Sequence, residues 1–159
     1  MKNWRGWCKK NVSGIKIYTI GCTQTSAEEF FGKLIKRGVR KIVDVRLNNS
    51  SQLAGFAKKD DLKYFLKAIG SIDYVHMSVL APSEEILTEY KKKKGDWYTY
   101  EKKFLALMEE RRIENVVNSD ELDRTCLLCS EHLPKHCHRR LVAEYLKNKW
   151  GNVEIEHLV

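Results

Sequence analysis

Thiols, imidazoles, a carboxylate and guanidinium groups crowd into the eighteen positions from Arg124 to Leu141, Arg-Thr-Cys-Leu-Leu-Cys-Ser-Glu-His-Leu-Pro-Lys-His-Cys-His-Arg-Arg-Leu. These residue types suit nucleophilic or acid–base catalysis. A thiolate of Cys129 or Cys137 would attack, His138 would act as base or hydrogen-bond partner, and Glu131 or the distant Asp44 would orient groups or transfer protons. Adjacent side chains on a helix diverge, so Cys129 with His138 is as good a pairing as Cys137 with His138.

Short apolar strands and helix starts must position these groups. Thr125 to Cys129 is an apolar run suited to a buried strand, and Leu141, Val142, Tyr145 and Leu146 repeat at helical spacing, with Pro134 in the loop between. The reactive groups therefore fall at the carboxyl end of a strand and the amino end of a helix. In an open parallel sheet that edge receives ligands, and a helix amino end favours anions and can lower the pKa of Cys137.

Leu127-Leu-Cys-Ser-Glu131, then Cys137-His-Arg139 after seven residues beyond Cys129, is similar to the closing motif of the DUF488 family, small prokaryotic proteins named for lacking a known function. Tyr18-Thr-Ile-Gly21 resembles the family's opening strand. Asp44-Val-Arg46, Asn48 to Phe56 and Lys58 resemble a second motif, and Leu80-Ala-Pro82, Trp97 and Tyr100-Glu101 follow in order. The resemblance implies a fold and a site, but no reaction. On it and on the residue chemistry we expect Gly21, Arg46, Asn48, Ser51, Gln52, Lys58 and Arg139 to bind substrate.

Two other chemistries compete. Cys126, Cys129, Cys137 and His138 have the composition of a Cys3His zinc site, but on an extended strand Cys126 and Cys129 point to opposite faces about 10 Å apart. A set of Cys129, Cys137 and one of His132, His136 or His138 survives that objection. A non-catalytic nucleic-acid module would explain the excess of 29 Lys and Arg over 21 Asp and Glu, yet it leaves the cysteine–histidine cluster unused. The charge suits an anionic partner, a small molecule or a nucleic acid, or simply a solvated Lys-rich surface. No cofactor is assignable.

The remaining elements form a scaffold. Strands are expected at Ile15 to Ile20, Lys41 to Arg46, Ile72 to Met77 and, as a half-exposed edge, Asn152 to His157. Ser26-Ala-Glu-Glu29 is a capping box for a helix burying Phe30, Phe31, Leu34 and Ile35, with Gly38 as its stop. Asp60 or Asp61 should cap a helix burying Leu62, Phe65, Leu66 and Ile69. Ser83 can cap a further helix with Ile86, Leu87 and Tyr90 on one face, and Gly95-Asp96 restarts the chain into a long helix with Tyr100, Phe104, Leu107 and Met108 inward. The 47–59 loop, rich in amides and hydroxyls, suits a lid or a binding loop.

Alternating strands and helices predict one three-layer α/β domain over residues 1–159, with a mostly parallel sheet and its ligand edge at the carboxyl ends of the strands. Residues 1–14 form a basic arm containing Trp4 and Trp7, either docked on the domain or able to stack nucleic-acid bases. A chain of 159 residues can bury about 70% of its unfolded surface without metal or disulfide support. Five cysteines without an apolar leader or an 18-residue apolar run predict a cytoplasmic protein, off the membrane, with reduced thiols.

Overall fold

The computed structural model describes residues 14–50 and 54–159. Along the chain run β1 (Ile15–Gly21), α1 (Ala27–Lys36), β2 (Lys41–Asp44), α2 (Lys59–Gly70), β3 (Asp73–His76), α3 (Glu84–Lys91) and α4 (Trp97–Arg111). Two four-residue helices, α5 (Ile113–Val116) and α6 (Ser119–Leu122), precede β4 (Thr125–Cys129), α7 (His138–Trp150) and β5 (Val153–Leu158). The strands lie in the order β3-β2-β4-β1-β5, and all four pairings are parallel rather than mostly so.

Alternation of side chains along each strand divides the interior. Ile17, Val43, Leu127 and Cys129 join the core formed with Tyr100, Phe104 and Met108 of α4 and Leu141, Val142 and Leu146 of α7. Tyr18, Ile20, Ile42, Cys126 and Leu128 face Phe30, Phe31 and Leu34 of α1 and Leu62 and Leu66 of α2. The central strand β4 is buried throughout, which is why it reads as a continuous apolar run. Cys126 is the core residue expected, its thiol pKa raised by burial. β5 is the expected edge strand, with Val153 and Leu158 buried and Glu154 exposed.

The capping box of α1 is present, with Ser26 accepting from the Glu29 N–H and the Glu29 carboxylate accepting from the Ser26 N–H. Gly38 follows the helix at a φ of +62°, a left-handed conformation that glycine adopts without cost. Ser83 and Asp96 cap α3 and α4 as expected.

Some expectations need correction. Ile35 and Ile69 are about half exposed, at 48% and 52%, because the apolar stripes of α1 and α2 are narrower than their sequences suggest. Neither Asp60 nor Asp61 caps α2. Lys58 occupies the cap position without a side-chain bond, and both acids lie in the first turn, where the helix dipole favours them. β2 ends at Asp44 because the Asp44 carboxylate accepts from the Arg46 N–H, two residues on, and turns the chain. β3 is likewise shorter than Ile72 to Met77. In the 47–59 loop, Ala57 is buried and the Phe56 ring packs 5.1 Å from Phe30 and 5.8 Å from Phe31, so the apolar tip is anchored on the α1–α2 layer. Residues 51–53, and the arm as far as residue 13, lie outside the described residues. Among the described residues no helix is long and apolar enough to cross a membrane.

Candidate active site

Cys129 is the last residue of β4, and His138 opens α7 with Cys137 at the cap position before it. The loop between them folds back so that Cys129 Sγ lies 3.6 Å from His138 Nδ1. His138 Nε2 is 2.7 Å from the Val45 carbonyl oxygen just past β2. A carbonyl only accepts, so Nε2 carries a proton and Nδ1 is the atom that exchanges one with sulfur. The ring is further packed edge-on against Phe104, 5.7 Å between centroids.

Charge follows from this geometry. The Cys137 thiol beside it lowers the Cys129 pKa well below the ordinary thiol range. Burial opposes the shift, and the His138 ring and the Glu131 N–H reinforce it. Burial pulls His138 downward, but the Cys129 thiolate and the Val45 carbonyl outweigh it and leave the imidazole above its ordinary value. Burial and the adjacent Cys129 sulfur hold Cys137 well above the thiol range; it sits at the cap of α7, not in the first turn, where the helix end would lower its pKa. Two thiolates side by side repel, so the one facing the imidazolium ionises.

Arg139 holds the loop in place. It is fully buried and donates to the Glu131 and His132 carbonyls and to Thr19 Oγ1, with Nη1 also 3.3 Å from Cys137 Sγ. Beneath the same loop, a Cβ added to Gly21 would stand 1.9 Å from the Glu131 carbonyl oxygen. The space beside Gly21 is thus filled by the chain itself.

Cys129, Cys137 and His138 line a cavity of about 280 Å³ together with Arg46, Asn48, Ser130 and Glu131. Its wall is aromatic: Tyr90, Trp97, Tyr100 and His136, with the Trp97 ring stacked 5.1 Å from His136 and 5.0 Å from Tyr100. At the mouth Lys91 Nζ meets Glu131 at 3.4 Å, both side chains about half exposed. Cys129 Sγ, Cys137 Sγ and a His138 nitrogen lie within 4.8 Å of one another, a trio that could hold a metal.

The family model for "Domain of unknown function DUF488" matches residues 26–146. This chain belongs to the DUF488 family. Comparison with curated proteins and with solved structures gives no match.

In this DUF488 protein the expected site residues are distributed unevenly. Cys129, Glu131, Cys137, His138, Arg46 and Asn48 meet at the cavity. Asp44 lies on the other face of the sheet: it stands opposite Leu128 in the register, and its carboxylate accepts from Arg46 Nε at 2.9 Å, Arg46 Nη2 at 2.7 Å and the Tyr74 hydroxyl at 2.7 Å. Asn49, buried, donates to the same Tyr74 hydroxyl. Lys58 is exposed at the start of α2 and is not in the cavity wall, and Ser51 and Gln52 lie outside the described residues. Glu101 sits in α4 with Arg140 Nη2 at 3.9 Å. Of the candidate histidines, His136 contributes to the wall and His76 Nε2 donates to the Arg46 carbonyl oxygen at 2.7 Å.

Sequence reasoning missed the aromatic wall, because Tyr90 and Trp97 lie on different helices and each reads as ordinary core. It also missed the Val45 carbonyl, which no side-chain pattern can reveal. The one available signal was that Pro82, Trp97 and Tyr100 fall in the family-like motifs.

Proposed function

We propose that this DUF488 protein is an enzyme in which the Cys129 thiolate attacks an electrophilic centre of a small anionic substrate, nucleotide-related compounds included, with His138 returning a proton to the leaving group. The arrangement that carries this reading is the chain from Cys129 Sγ to His138 Nδ1 at 3.6 Å and from His138 Nε2 to the Val45 oxygen at 2.7 Å, opening on a cavity. An imidazole held by a carbonyl on one nitrogen is oriented to stabilise a thiolate on the other. The aromatic wall suits a planar group, and the amino end of α7 favours negative charge beside it.

The test is the rate of Cys129 alkylation by iodoacetamide as a function of pH, read by peptide mapping. The rate should stay high well below the ordinary thiol range. A rate that climbs only as an unperturbed thiol ionises would remove the nucleophile.

The trio of Cys129, Cys137 and His138 supports a second reading, a metal centre with its remaining positions toward the cavity. Zinc would need sulfurs and nitrogen about 3.5–3.8 Å apart around one ion, and His138 has the outer carbonyl partner usual for a ligating imidazole. Elemental analysis of protein purified without chelators or metal-affinity steps separates the two: stoichiometric zinc or iron favours the centre, and its loss should then protect neither thiol from alkylation.

A further inference from the structure

We propose that Cys137 is a second catalytic residue, the resolving thiol of a dithiol reaction, and that the substrate class is a small disulfide. The proposal rests on the Cys129 nucleophile above and extends it. Its basis is the placement of two sulfurs, not one, on the same cavity: Cys129 and Cys137, 4% and 1% exposed, both line it and lie within 4.8 Å. They come from different elements, the end of β4 and the cap of α7, where the core around α4 and α7 meets the cavity. A disulfide bond of about 2 Å between them requires sulfurs that already face one another and can close by side-chain rotation.

Cys129 thiolate attacks one sulfur of R–S–S–R′; the Cys129–S–R bond forms, the S–S bond breaks, and R′S⁻ leaves with the proton of the His138 imidazolium. The negative charge beside Cys137 is then gone, while the Arg139 guanidinium, 3.3 Å from Cys137 Sγ, stays in place. Cys137 now gives its proton to neutral His138 and attacks Cys129 Sγ. The Cys129–Cys137 disulfide forms, and RS⁻ leaves with that proton. The substrate gains two electrons from the cysteine pair and two protons, one from the His138 imidazolium and one from Cys137. A low-molecular-weight thiol, oxidised to its own disulfide, restores the pair. The buried Arg139 thus has a use beyond holding the loop, since it favours the second thiolate only after the first has reacted.

Dithiodipyridine, an aromatic disulfide that releases a coloured thiopyridone, tests this in the reduced full-length protein. The wild type should release two equivalents from this pair, lose two hydrogens in mass, and yield a peptide linking Cys129 to Cys137. C137S should release one and keep a pyridyl adduct on Cys129. A stable Cys129 adduct in the wild type overturns the resolving role and leaves the nucleophile standing. No adduct or link at Cys129 in either protein overturns both. The wild-type map decides the question even if C137S fails to fold.

Discussion

His138 reaches a sulfur with one nitrogen and a backbone oxygen with the other, and this sets where charge resides in the site. Replacing it in H138Q should raise the pH at which Cys129 alkylates toward the ordinary thiol range, measured by the same pH–rate profile. The pair also couples to folding. In the unfolded chain Cys129 keeps its proton up to the thiol range, whereas in the folded chain it gives that proton up at much lower pH. Below the imidazole range, where His138 is protonated in both states, only the unfolded Cys129 has taken the extra proton. Stability from the pair therefore falls as pH drops through the folded Cys129 value. Urea midpoints of the wild type between pH 7 and 5 should fall more steeply than those of C129S. Arg46, which also borders the cavity, forms a buried pair with Asp44, with side chains 5% and 0% exposed. Arg46→Leu strands the carboxylate and should cost about 3–5 kcal/mol in urea unfolding, against about 1–2 kcal/mol for Tyr74→Phe, which removes one donor.

At the scale of elements, the site depends on how the loop after β4 is held over β1. Gly21→Ala drives a methyl group into the Glu131 carbonyl and so loosens the loop that Arg139 also anchors. We expect a loss of about 1–3 kcal/mol by denaturation and slower Cys129 alkylation, since the Glu131 N–H moves away from sulfur. The strand-then-helix placement of Cys129 and His138 was legible because both lie on one continuous stretch whose apolar pattern changes period. The separation of Asp44 from Cys129 was not. It depends on the register that sets Asp44 beside Leu128, a pairing between segments more than eighty positions apart that a one-residue slip would reverse. Arg139 was misplaced for a related reason: three polar residues at a helix start look accessible until the loop that covers one of them is known. The aromatic wall needed α3 and α4 brought together before Tyr90 and Trp97 could be seen as one surface.

For the whole molecule, charge is unevenly spread. Lys2, Arg5, Lys9 and Lys10 lie in the first thirteen residues without an acid, so half of the net excess of eight comes from there. If the arm tracks a phosphate backbone, changing these four to Gln weakens retention of single-stranded RNA in a filter-binding assay and flattens its dependence on salt, while leaving Cys129 alkylation unchanged. Unchanged RNA retention would mean that the arm makes no phosphate contacts. The order of the strands has a different outcome, in time. β1 and β2 are made early, yet they never touch, because β4 lies between them and is synthesised some eighty residues later. Until that strand arrives, each offers an unsatisfied row of backbone groups toward the gap. A ribosome stalled after Leu122 would therefore display two complementary sticky margins, and neighbouring nascent chains on one message could knit into each other there before any of them acquires its reactive sulfur.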